Sequence, residues 1–143
     1  RRKNILSNIK QTATICLFAI AVLLVGKLFL RVLGAPVKQN FMGGSVHGAV
    51  TYLFTALLQE FLARGVIQTS VKNLMRVKHQ IPVSIFLTSM LFTLMHLPYG
   101  FIFMMGAFLL SIALGILFEQ QKTIWGCFFL HWSIGYLAMC LFF

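Results

Sequence analysis

Five long apolar segments constrain the fold of this chain more than any other feature of its sequence. They cover Thr12 to Leu33, Val46 to Val71, Ile81 to Leu97, Phe101 to Phe118 and Thr123 to Phe143. A spanning helix needs roughly 20 apolar residues, and a segment in lipid must satisfy its backbone hydrogen bonds internally. With 59% hydrophobic residues in a chain of 143, the sequence predicts an all-α, polytopic membrane helical bundle of about five spanning helices.

The charge distribution indicates a membrane topology and argues against nucleic-acid binding. The chain carries 12 Lys and Arg against 2 Asp and Glu, but these charges separate the apolar segments and build no basic face. The two most basic stretches, "RRKNILSNIK" and "VKNLMRVKHQ", lie two spans apart. Because basic loops stay on the cytoplasmic side, the amino terminus is predicted to be cytoplasmic, and the first partner is the lipid bilayer. The chain begins with Arg1 and stops inside an apolar run, so we expect an excerpt of a longer protein.

A few polar residues remain inside the predicted spans, and they are the candidate site residues: Gln59, Glu60, Arg64, His96 and His131. Burying an ionisable side chain in a membrane is expensive, so such residues are functional candidates by default. Glu60 and Arg64 are four residues apart and share a face of a helix. A simpler interpretation of these two is an ion pair that serves packing alone.

One glutamate with two histidines suits two chemistries. In the first, the Glu60 carboxylate takes a proton from water while His96 and His131 orient that water and stabilise the oxyanion. In the second, the three side chains bind a zinc ion that acidifies the water. Spacing does not separate the two, because the residues lie on three different segments. We expect no cofactor and keep zinc as the alternative.

Three motifs in this order resemble those of the CPBP intramembrane proteases, a family that includes CAAX prenyl endopeptidases and abortive-infection-like bacterial proteins. "QEFLARG" is similar to the first motif, with Gln59, Glu60 and Arg64; "FTLMH" to the second, ending at His96; and "LGILFEQQKTIWGCFFLHWSIG" to the third, with His131. The resemblance implies an intramembrane protease core over residues 46–143. Residues 1–45 would then supply a basic amino-terminal segment, one transmembrane helix and an external loop, in a bacterial cell membrane.

Two residues depart from the family pattern. The family's first glutamate, taken to activate the attacking water, is Gln59 here, and a carboxamide does not accept that proton at neutral pH. The family places Asn four residues after the last histidine, where it helps to form the oxyanion hole, and this chain has Gly135. Glu60 would have to act as the base, with Gln59 orienting the water or donating to the oxyanion.

Three functions are compatible with these sequence features. The first is an intramembrane endopeptidase that cleaves a hydrophobic or membrane-anchored peptide with water activated at a Glu/His site. The second is a catalytically silent relative that acts as an immunity or partner-binding module, which Gln59 and Gly135 favour. The third is a transporter of protons or metal, which paired, repeat-related broken helices would favour. The sequence contains no such repeat, and the resemblance favours the first function.

Overall fold

A computed structural model describes residues 2–34, 45–75 and 78–142 and contains five helices within them. They are α1 (Arg2–Val32), α2 (Val46–Leu74), α3 (Gln80–Leu94), α4 (Phe101–Gln121) and α5 (Ile124–Phe142). A short 3₁₀ turn, Leu97–Tyr99, connects α3 to α4. No strand occurs in the described ranges, so the all-α prediction is confirmed.

The helices agree with a protein that crosses a membrane. The described part of the chain has four helices that are long and apolar enough to span a bilayer: α1, α2, α4 and α5. Helix α3 has 15 residues, fewer than the roughly 20 that a crossing requires. Large side chains on α1 face outward; Phe18, for example, is 71% exposed. An apolar surface of this kind is stable in lipid and costly in water. The protein is therefore an integral membrane protein, with four helices of spanning length where about five were predicted.

Helix α2 changes its geometry directly after Glu60. It is α-helical over Val46–Glu60, π-helical over Phe61–Gln68 and α-helical again over Thr69–Leu74. The Thr69 hydroxyl donates to the carbonyl of Arg64, five residues back, at 2.9 Å. Since π-helical turns are rare and occur frequently at functional sites, this segment draws attention to the side chains it carries.

The described residues form two compact units. The first contains the residues up to Ala56 and those from Phe129 onward, and the second is Leu57–Phe128. In the first unit, Trp132 Nε1 donates to the Ala49 carbonyl at 3.0 Å and Tyr136 Oη donates to the Ser45 carbonyl at 2.6 Å. These bonds attach the carboxyl-terminal part of α5 to the start of α2.

The second unit contains α3, α4 and the remainder of α2. Its buried apolar residues include Ala63 on α2, Phe92 on α3 and Ala107 on α4, which form one cluster. Small side chains in this cluster let helices approach closely, which is how helices associate in a bilayer. The second unit thereby fixes the part of α2 that carries Glu60 and Arg64.

Candidate functional site

The candidate carboxylate, Glu60, is completely buried and paired with Arg64. Arg64 Nε donates to Glu60 Oε2 at 3.1 Å, and both side chains are 0% exposed. A buried charge without a partner is strongly destabilising, so this ion pair explains how α2 holds an anion. The sequence prediction that these two residues share a helix face is confirmed.

The Arg64 guanidinium uses its remaining groups to connect two helices. Nη1 donates to Gln68 Oε1 at 3.1 Å, and Nη2 donates to the hydroxyl of Ser111 on α4 at 2.7 Å. A planar guanidinium with fixed donors is suited to this kind of shared contact. Arg64 therefore has little freedom to move, and the Glu60 carboxylate that it binds is held in one place.

The polar network continues along α2 and α4 to the second glutamate of the chain. Gln68 Nε2 donates to the Gly115 carbonyl at 3.2 Å and to Glu119 Oε1 at 3.4 Å. Glu119 Oε2 accepts from Lys72 Nζ at 2.8 Å and also from Lys122 Nζ. The two glutamates of the sequence thus belong to one chain of hydrogen bonds.

Gln68 and Ser111 are not among the candidate site residues predicted from the sequence, although a signal for them exists. Polar residues recur every four positions on α2, and small or polar residues do the same on α4: Glu60, Arg64, Gln68 and Lys72 on the first, Ser111, Gly115 and Glu119 on the second. Residues four apart lie on one face of a helix, so each series forms a stripe. Opposed stripes of this kind are a sequence signal for polar contacts between two membrane helices.

Gln59 precedes Glu60 and lies in a different environment. Its side chain is partly buried, and its Oε1 atom is buried with no hydrogen-bond partner among the residues that the structure describes. Leaving such an acceptor unsatisfied is costly. A hydrogen-bond donor from water or a peptide would satisfy this atom.

His96 lies just after α3 and has a defined orientation. Its Nδ1 is 2.8 Å from the Phe92 carbonyl oxygen, and because a carbonyl accepts only, Nδ1 carries the proton and donates. The ring stacks on Phe103 with centroids 5.6 Å apart and contacts Phe92 at 4.7 Å. These contacts fix the plane of the His96 ring and the tautomer with the proton on Nδ1.

His131 lies on α5 in the first unit and is 1% exposed. The ring of Tyr52, from α2, meets it edge to face, with centroids 5.9 Å apart and planes at 83°. One turn after His131 comes Gly135, and a Cβ added there would overlap the Tyr52 hydroxyl. The sequence did not single out Tyr52, whose position depends on how α2 packs against α5.

The structure therefore brings Glu60 and Arg64 together and fixes the direction of His96. His131 belongs to the other unit, so the convergence of Glu60, His96 and His131 on one water stays a prediction, and so does zinc as its alternative.

Comparison with known proteins identifies the family. The family model described as type II CAAX prenyl endopeptidase Rce1-like matches residues 41–137, about two thirds of the chain and all five candidate site residues. No curated protein and no solved structure matches the chain. This match agrees with the three motifs found in the sequence, and the chain belongs to the Rce1-like family of type II CAAX prenyl endopeptidases.

Proposed function

We propose that this protein is an intramembrane endopeptidase that hydrolyses a peptide bond of a hydrophobic or membrane-anchored substrate. The observation that carries the proposal is the Glu60 carboxylate, 0% exposed and held by Arg64 at 3.1 Å, inside the segment that the family model matches. Burial and pairing alone would also be found if Glu60 and Arg64 formed an ion pair that serves packing only. The family membership, together with two further buried histidines, favours a catalytic use.

In the proposed reaction a water oxygen bonds to the substrate carbonyl carbon while Glu60 accepts the proton from that water. Arg64 Nε donates to Glu60 Oε2, and an ionised carboxylate can accept through about four lone-pair positions. The proton then passes to the leaving nitrogen as the C–N bond breaks, and Glu60 returns to its ionised form. His96 and His131 orient the water and stabilise the oxyanion. The unpartnered Gln59 Oε1 accepts a hydrogen bond from the same water.

The family name supplies the first substrate class to test, a prenylated peptide ending in a Cys-aliphatic-aliphatic-X sequence. A lipid anchor would hold such a peptide at the bilayer, where an integral membrane protein can reach it. The proposed reaction requires no metal, and a zinc mechanism would instead predict that a zinc chelator abolishes cleavage. The basic segments favour a cytoplasmic amino terminus, and we propose the bacterial cell membrane as the location.

The test uses the two glutamates of the chain as a matched pair. Purified protein in lipid nanodiscs is incubated with a farnesylated peptide and with an unlipidated transmembrane peptide, and products are identified by mass spectrometry. Glu60→Gln keeps an oxygen for Arg64 but removes the base, so cleavage should fall by about 10²–10⁴-fold. Glu119→Gln makes the same chemical change at the other end of the polar network and should retain cleavage. Equal activity of the wild type and Glu60→Gln would refute the proposal.

A catalytically silent, partner-binding protein is the second candidate, and Gln59 and Gly135 favour it. The structure changes how this candidate must be tested, because a side chain restored at position 135 would collide with Tyr52. The revertant should therefore combine Gln59→Glu and Gly135→Asn with Tyr52→Leu, which makes room. Cleavage by this triple variant and none by the wild type would support the silent protein. Cleavage by the wild type rules it out.

A further inference from the structure

The Tyr52 hydroxyl lies in the space that a side chain at position 135 would need. A Cβ built on Gly135 would overlap Tyr52 Oη and would lie 3.1 Å from Tyr52 Cζ and 3.2 Å from Cε1. Cβ is the first atom of every side chain except that of glycine, and a real Cβ essentially never lies as close to another atom as this one would lie to Tyr52 Oη. Tyr52 therefore occupies the volume in which an asparagine at position 135 would begin.

The same hydroxyl lies on the side of α5 that carries His131. His131 and Gly135 are four residues apart on a continuous helix, so they share a face. The Tyr52 ring also contacts the His131 ring edge to face at 5.9 Å. A tyrosine from α2 thus places a polar group beside a buried histidine, one helical turn along, where the family pattern places its asparagine.

We infer that Tyr52 does the work of the missing asparagine, and that its hydroxyl donates a hydrogen bond to the oxyanion of the substrate. This inference rests on the proposed endopeptidase function. A tyrosine hydroxyl is a competent donor, and a donor aimed at the developing negative charge is among the largest contributions to acyl-transfer catalysis. No covalent step at Tyr52 is involved, since the hydroxyl keeps its proton throughout. Glycine at 135 and tyrosine at 52 then form a compensating pair in this chain.

The placement is tested without any activity. In the wild-type background, Gly135→Ala should lower the thermal unfolding midpoint by several degrees, because the new methyl group overlaps the Tyr52 hydroxyl. In a Tyr52→Leu background the same substitution should have little effect, because Oη, Cζ and Cε1 are gone. Gly26→Ala controls for adding a methyl group to a helix, because a Cβ at this position on α1 would meet no atom of residues 2–34, 45–75 and 78–142 within 4 Å. Equal destabilisation in both backgrounds would overturn the inference.

The chemical role is tested by removing single hydroxyls. Tyr52→Phe keeps the ring against His131 and should lower kcat by about 10²–10³-fold, the loss typical of one oxyanion donor, with KM within about twofold because the interaction forms only in the transition state. Tyr136→Phe is the matched control, because it removes a hydroxyl in the same unit that donates to the Ser45 carbonyl at 2.6 Å. It should retain the wild-type kcat.

A rescue completes the test. Tyr52→Leu should lose activity like Tyr52→Phe. Adding Gly135→Asn should raise kcat at least about tenfold above that of Tyr52→Leu, because an amide then donates from the vacated space. A wild-type kcat in Tyr52→Phe, or no recovery in Tyr52→Leu/Gly135→Asn, would overturn the assigned role. If the wild type cleaves nothing, the proposed function fails and the catalytic role fails with it. The thermal measurements still decide whether Tyr52 fills the space beside Gly135.

Discussion

Arg64 on α2 donates a 2.7 Å hydrogen bond to Ser111 on α4 with the same guanidinium that holds Glu60. The ion pair of the candidate site and the contact between two membrane helices therefore depend on one side chain. In a low-dielectric interior such a network is stabilising when every member has a partner and costly when one is lost. Loss of Arg64 should therefore weaken both contacts at once.

Arg64→Met should destabilise the protein by about 3–5 kcal/mol, because it leaves the buried Glu60 carboxylate without a counter-charge. The double variant Glu60→Leu/Arg64→Met removes both charges and should be more stable than Arg64→Met alone. Denaturant unfolding of the purified protein measures the difference. A double variant less stable than Arg64→Met would show that the ion pair is not what holds Glu60 in place.

Gly115→Ala should be destabilising, and Gly106→Ala on the same helix should not. A Cβ at Gly115 would lie 2.9 Å from Ile85 Cγ2, 3.1 Å from Gln68 Oε1 and 3.2 Å from Arg64 Nη1. A Cβ at Gly106 would have no atom of the described residues within 4 Å. Overpacking costs about 1–3 kcal/mol, and alanine in open space gains about 0.5–1 kcal/mol over glycine within a helix. Thermal unfolding of the two variants provides the comparison. Equal midpoints would contradict the close approach of α4 to the polar stripe of α2.

Glu119→Gln should change stability by no more than about 1 kcal/mol. Its partners, Lys72 and Lys122, are 25% and 62% exposed, and Glu119 itself is 10% exposed, so water and salt screen these ion pairs from the lysine side. The difference between variant and wild type should shrink further when unfolding is measured at high salt. A large loss that salt does not reduce would place Glu119 in the same category as the buried Glu60.

The orientation in the membrane is tested with two exposed histidines, His47 near the start of α2 and His79 directly before α3. The chain's own cysteines, Cys16, Cys127 and Cys140, are buried and should react slowly with a membrane-impermeant maleimide. If the amino terminus is cytoplasmic, His47→Cys labels in intact cells and His79→Cys labels only after permeabilisation. The reverse pattern would invert the proposed topology.

The apolar segments predicted the helices well because length and hydrophobicity are sufficient to define a helix in lipid. The amino-terminal boundary of α1 was less accurate: the helix begins at Arg2, although apolar character begins at Thr12. Polar residues continue a helix that is already nucleated, and hydropathy does not detect them. The pairing of Glu60 with Arg64 was also predictable, since it follows from helical spacing alone.

Other parts of the site depend on contacts between helices, and one sequence does not encode these in a local pattern. The hydropathy pattern does not distinguish the π-helical segment Phe61–Gln68 from an α-helix, because the residues around it are apolar on most sides. The contact between Tyr52 and Gly135 requires α2 and α5 to pack in one register. From the sequence, Gly135 indicated a lost amide donor; in the structure, the Tyr52 hydroxyl fills the space beside Gly135.

The central claim is that Glu60, His96 and His131 act on one water, and a mutant cycle of single-turnover cleavage tests it most directly. Glu60→Gln and His131→Gln are measured alone and together, with thermal unfolding as the check on folding. Residues that act as one unit show strongly non-additive losses. We therefore predict that each single variant loses about 10²–10⁴-fold in rate. The double variant should be about as slow as the slower of the two single variants. Losses that multiply, or a His131→Gln variant with the wild-type rate, would contradict the claim.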